Sequence, residues 1–127
     1  MSTIAIVEDN ADNRLLLQAI LDSSYDLVEY ENGTDALAGL MASLPDLVLL
    51  DISLPGMDGN EILSRIRADA RLCALPVIAL TAHAMSGDRE RYLAAGFNDY
   101  IAKPIVDETI LLAAIERWLV SSRPPGR

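Results

Sequence analysis

The chain has 127 residues, of which 51% are hydrophobic. That is enough to bury the core of one domain and is inconsistent with a disordered chain. A formal net charge of −9 disfavours contact with a phosphate backbone, so nucleic acid is not an expected partner.

A lone cysteine, Cys73, excludes an internal disulfide, and no Cys/His group has zinc-ligand spacing. One thiol fits a reducing compartment. No apolar run reaches the ~18 residues of a membrane span. The start, Met1-Ser2-Thr3, lacks the basic segment of a signal peptide, and Glu8 and Asp9 follow early. A cytoplasmic protein without a membrane partner is expected.

Strand and helix patterns alternate along the chain. Thr3 to Val7 is a short apolar, β-branched strand candidate. Ala11 to Ser23 reads as a helix, with Leu15, Leu16, Ile20 and Leu21 at helical spacing. Asp26 to Tyr30 is a weaker strand. Thr34 to Ser43 is helical, with Thr34 as the N-cap and Leu37, Leu40 and Met41 facing inward. Leu47 to Leu50 is an unbroken apolar run, the mark of a strand covered on both faces. Gly59 to Ala68 is helical through Ile62, Leu63 and Ile66, and Pro76 precedes a second buried strand, Val77 to Leu80. Ser86 to Ala95 is a helix with a thin apolar stripe, closed by Gly96 at the C-cap. Asp99 to Ala102 is the last strand. Asp107 to Val120 is the last helix, with Ile110, Leu111, Ala114, Ile115, Trp118 and Leu119 on one face. Ser121 to Arg127 is polar and Pro-rich, a flexible tail or the start of a linker after a domain spanning 1–120.

Five strands alternating with five helices predict an α/β sandwich with a parallel sheet. The flavodoxin-like order 2-1-3-4-5 suits five strands better than an extended Rossmann sheet. In that order the ends of strands 1, 3, 4 and 5 share one edge, where open α/β sheets bind ligands. Those ends carry Glu8 and Asp9, Asp51, Thr81 and Lys103. Taken singly, each has a plain structural account: an acid after a strand commonly caps a helix or shapes a turn. Together they form an acidic pocket with a hydroxyl and an ammonium.

Three crowded carboxylates repel, and a divalent cation removes that penalty. All-oxygen ligands in an open site suit Mg²⁺. A metal, a lysine and a threonine hydroxyl could all engage phosphoryl oxygens, and a carboxylate could accept the phosphoryl group as an acyl phosphate.

At these residues the chain resembles the receiver domain of two-component response regulators. The matching segments are IVEDN at Ile6 to Asn10, LVLLDISLPGMDG at Leu47 to Gly59, ALTA at Ala79 to Ala82 and DYIAKP at Asp99 to Pro104. The resemblance runs from about Thr3 to Val120. It implies that Asp51 takes a phosphoryl group from a partner phosphohistidine. Asp9 and Asp51 would hold Mg²⁺ through side chains, Glu8 mainly through water, and Ser53 through its backbone carbonyl. Thr81 would contact the phosphoryl group and Lys103 would pair with it, aimed by a cis Lys103-Pro104 bond. Tyr100 matches the aromatic that moves with the threonine, shifting the surface formed by helix 4, strand 5 and helix 5. Ser53 and His83 occupy positions that tune phosphate lifetime. Leu54 stands where the family more often has methionine.

The implied partners are a sensor histidine kinase or a histidine phosphotransfer protein, and a downstream protein target. Activity beyond self-phosphorylation from a phosphodonor and slow autodephosphorylation is not implied. A relay intermediate, passing phosphate on to a phosphotransfer protein, is the alternative role, and a phosphorylation-independent binding module is another. A metal-dependent hydrolase with an aspartyl nucleophile would place Asp-x-Asp on strand 1, which this chain lacks. A nucleotide or flavin module would need a phosphate-binding turn there, where this chain has Glu-Asp-Asn-Ala-Asp.

Overall fold

The computed structural model describes residues 2–54, 56–82, 88–103, 105 and 107–122. Ten elements alternate: β1 (Thr3–Val7), α1 (Ala11–Leu21), β2 (Asp26–Tyr30), α2 (Gly33–Ala42), β3 (Leu47–Asp51), α3 (Gly59–Ala68), β4 (Val77–Thr81), α4 (Asp88–Ala95), β5 (Asp99–Ala102) and α5 (Glu108–Ser122). The strands form one parallel sheet in the order β2-β1-β3-β4-β5, as the alternation predicts.

Side chains on a strand alternate between faces, and here both faces are covered. Ala5, Val7, Val48, Leu50, Val77 and Ala79 point to one side, where they pack with Ala36, Leu40, Ile62, Leu63, Ile66, Tyr92 and Phe97. Ile4, Ile6, Leu47, Leu49, Ile78 and Leu80 point to the other, against Leu17, Leu21, Leu111, Ile115 and Leu119. So α2, α3 and α4 lie on one face of the sheet, and α1 and α5 on the other. Every residue of β3 and β4 is buried, which is why their sequences run apolar without alternation. The edge strand β2 is mostly exposed or half-buried and was correspondingly weak in pattern.

Several helical details differ from expectation. Helix α1 ends at Leu21 rather than Ser23, where the Asp22 N–H donates to the Gln18 carbonyl. Its core contact is Leu17 and Leu21, one turn apart, while Leu15 and Leu16 are exposed. Helix α2 starts one residue earlier than expected: Asn32, not Thr34, is the N-cap, its side chain accepting the Asp35 N–H at 2.8 Å. Ala36 and Leu40 carry its buried face, and Met41 is exposed. Ile110 on α5 is likewise exposed. In each helix, i,i+3 and i,i+4 spacing marks a broader apolar face than the sheet covers. Helix α5 continues to Ser122, past Val120 and into the stretch expected to be tail. Gly96, with φ of +115°, closes α4 as expected of a residue in a backbone region that favours glycine. Ser86 lies outside the described residues.

Candidate functional site

Sheet register assembles the site. Val7 pairs with Leu50, so Glu8, the first residue after β1, lies beside Asp51 at the end of β3. Asp51 pairs with Leu80 and Thr81 with Ala102, which places Lys103 one residue beyond Thr81 on the same edge. The Lys103 N–H donates to the Thr81 carbonyl at 2.8 Å and extends that ladder.

Glu8, Asp51 and Thr81 are all buried, whereas Asp9 is exposed. Lys103 Nζ lies 3.0 Å from Asp51 Oδ2 and 3.3 Å from Glu8 Oε1, bridging both carboxylates. The other Asp51 oxygen, Oδ1, accepts the Ser53 N–H at 3.0 Å. Glu8 is held by its own loop and by α1. Its Oε2 accepts the Asn10 N–H at 3.2 Å and its Oε1 accepts from Asn13 Nδ2 at 3.1 Å. Arg14 Nη1 donates to the Glu8 carbonyl at 2.8 Å while its guanidinium also pairs with Glu29 and Glu31. Among the described residues, no buried side-chain polar atom lacks a hydrogen-bond partner.

Helix α3 closes in on the same strand end. The Gly59 N–H donates to the Ile52 carbonyl at 3.0 Å. A Cβ at Gly59 would sit 2.8 Å from both the Asp51 carbonyl oxygen and Ile52 Cα. Only glycine lets the α3 N-terminus approach the strand this closely.

The electrostatics follow from burial. The Glu8 carboxyl is pushed up to about 7, first by burial and then by its hydrogen bond to Asp51. Burial also pushes Asp51 upward, but hydrogen bonds with Glu8, the Ser53 N–H and Lys103 outweigh it, and the net shift is down. For Lys103, burial lowers the ammonium's pKa, yet the bond and charge of Asp51, with Glu8, leave it raised. The arrangement therefore keeps Asp51 as the carboxylate, Lys103 as the cation, and Glu8 as an acid poised near neutrality.

One carboxylate oxygen from each of Glu8, Asp9 and Asp51 lies within 4.8 Å of the others. Lys103 offers one positive charge against three potential negative ones. An all-oxygen set with one exposed member fits a hard divalent cation that keeps waters.

The structure thus brings Glu8, Asp9, Asp51 and Lys103 together, with the Ser53 backbone beside Asp51; the Ser53 side chain is exposed. Thr81 is at the same edge, and its hydroxyl is 2.9 Å from the Tyr92 hydroxyl. Tyr100 is half-buried and stacks beside Tyr92, with ring centroids 5.8 Å apart. Leu54 is buried in the core near α3. His83 and Pro104, and with them the lifetime and cis-peptide expectations, lie outside the described residues. Asn13, Arg14 and Tyr92 were not anticipated. Tyr92 had a signal: it is the aromatic that follows the charged run Asp88 to Arg91, on a helix with few large apolar side chains to bury.

Compared with known proteins, the chain matches the family model of the response regulator receiver domain over residues 4–116. It is 38% identical to the sensor protein GacS of Pseudomonas syringae over 91% of this chain, which spans only 13% of that protein's length. It is 41% identical to the polar-differentiation response regulator DivK of Brucella anthropi, over 81% of this chain and 85% of DivK. Among solved structures, the receiver domain of sensor histidine kinase PA1611 from Pseudomonas aeruginosa superposes with a TM-score of 0.84 at 38% identity. That alignment covers 94% of this chain and 98% of PA1611's receiver, which holds magnesium in its active-site cleft.

Proposed function

This chain belongs to the response regulator receiver domain family of two-component signalling, and from that premise we propose that Asp51 is its phosphoryl-accepting residue. The observation that carries the reading is the Lys103 ammonium, 3.0 Å from Asp51 Oδ2 inside a cluster of three carboxylates at the carboxyl edge of the sheet.

In the proposed reaction an Asp51 carboxylate oxygen attacks the phosphorus of a partner phosphohistidine. The P–O bond forms as the P–N bond breaks, and the imidazole nitrogen leaves with the bonding pair. The product is an acyl phosphate on Asp51. Hydrogen bonds that hold Asp51 ionised keep it nucleophilic. Lys103 sits within reach of the arriving oxygens, and its charge offsets theirs. The Ser53 N–H holds the carboxylate, and the close approach of Gly59 holds the backbone that carries it. Asp9, Asp51 and Glu8, with the Ser53 carbonyl, would hold Mg²⁺, which when bound supplies positive charge to the phosphoryl oxygens. Glu8 and Asp9 follow β1 where a nucleotide-binding domain needs an anion-binding turn, which supports a receiver over a nucleotide module.

The donor is proposed to be a sensor histidine kinase or a phosphotransfer protein, in a cytoplasmic setting. Among the described residues no helix is long and apolar enough to cross a membrane. The output is proposed at the surface of α4, β5 and α5; between β5 and α5, Asp99, Tyr100, Ile110 and Arg117 line a groove of about 580 Å³ that a downstream protein could engage. Ser53 and His83 are proposed to tune the phosphate's lifetime.

Incubation with acetyl phosphate and Mg²⁺, read by intact mass, tests the assignment. The expected result is a gain of one phosphoryl group that is lost in Asp51→Asn. No gain, or an equal gain in the variant, overturns it.

A further inference from the structure

Resting on that reading of Asp51, we propose that Tyr92 is a positioning residue: its hydroxyl latches Thr81 in the unphosphorylated state, and phosphorylation releases the latch and with it α4.

Strand parity sets up the contact. Val77, Ala79 and Thr81 alternate onto the face that carries α4, and the first two pack in the same cluster as Tyr92. Thr81 is 1% exposed and Tyr92 4%, so their 2.9 Å hydrogen bond is shielded from water. Along α4 every other described side chain is half-buried or exposed, and Tyr92 alone is buried. Among the described residues, Tyr92 is the side chain that α4 buries against the sheet. Its ring meets Phe97 edge-on at 5.9 Å and lies beside Tyr100 at 5.8 Å.

Either hydroxyl can be the donor in this bond, so the competition is one of position. Turning the Thr81 hydroxyl toward a phosphoryl group on Asp51 draws Oγ1 from the α4 face, on which Tyr92 lies, toward the sheet edge. The Thr81–Tyr92 bond and the phosphoryl–Thr81 bond then oppose each other. Breaking the first removes a buried hydrogen bond from Tyr92 and so weakens its hold on α4. Tyr100, beside the Tyr92 ring, feels the change through that contact. Tyr92 thus links site and surface through a bond whose equilibrium both ends bias.

The test uses beryllium fluoride with Mg²⁺ as a phosphoryl mimic on the full chain, with binding followed by NMR. Tyr92→Phe keeps the ring and its packing and removes only the hydroxyl. The latch predicts mimic binding roughly two- to tenfold tighter in Y92F, the worth of one hydrogen bond. It also predicts faster amide exchange in α4 of the free variant. In a Thr81→Ala background the Tyr92→Phe gain should vanish, which a purely structural role for Tyr92 would not produce. Equal or weaker binding in Y92F, or a gain that persists without the Thr81 hydroxyl, overturns the latch. Failure of the unsubstituted protein to bind the mimic would instead strike at the assignment of Asp51.

Discussion

Replacing Glu8 with glutamine should stabilise the metal-free protein, and the gain should depend on pH in a defined way. Glu8 is fully buried and its pKa is raised from 4.5 to about 7. The fold therefore favours the neutral form. That contribution to stability is fully present below about 4.5, the unfolded value, and is lost as pH rises through about 7. Above pH 7 the accumulated cost is on the order of 3 kcal/mol, from ~1.4 kcal/mol for each tenfold change in proton affinity. Glu8→Gln keeps an uncharged side chain of the same size, and Lys103 retains Asp51 as its partner. Urea unfolding in EDTA should show the variant more stable by about 1–3 kcal/mol at pH 8, with the gap closing toward pH 4.5. Mg²⁺ should narrow the gap at pH 8, because the wild-type carboxylate then gains a cation. A variant less stable than wild type at pH 8, or a gap that ignores pH, would refute the account of Glu8.

Two further substitutions probe the rest of the site. Lys103→Met leaves two buried carboxylates without their shared ammonium. Phosphorylation from a small phosphodonor should slow by at least about tenfold, measured by the time course of mass gain. Gly59→Ala drives a methyl to 2.8 Å from the Asp51 carbonyl oxygen and Ile52 Cα. It should cost about 1–3 kcal/mol in thermal or urea unfolding.

The sequence exposes the centre of the sheet clearly and its margins poorly. β3 and β4 are buried on both faces, so Leu47–Leu50 and Val77–Leu80 had to be unbroken apolar runs. β2 lies at an edge with Val28 exposed, and its pattern was correspondingly faint. Glu8, Asp51, Thr81 and Lys103 were legible as a group because parallel pairing sends all four strand ends to one edge. Burial of individual helix residues was less legible. Leu15, Leu16, Met41 and Ile110 satisfy helical spacing yet are exposed, since apolar spacing does not say how wide a stripe the sheet covers. The α2 boundary moved because Asn32 and Thr34 are both competent caps, and local sequence does not choose between them. Tyr92 escaped notice because its partner lies on another element. Only strand parity and the placement of α4 bring the two hydroxyls together.

The phosphoryl group is proposed to reside on Asp51. An acyl phosphate is reduced by borohydride to the corresponding alcohol, so treating the phosphorylated chain should convert the modified aspartate to homoserine. Tandem mass spectrometry of the peptides should then find homoserine at position 51 and at no other aspartate. Homoserine at Asp9, or none at position 51 in a chain that has gained the phosphoryl mass, would contradict the account.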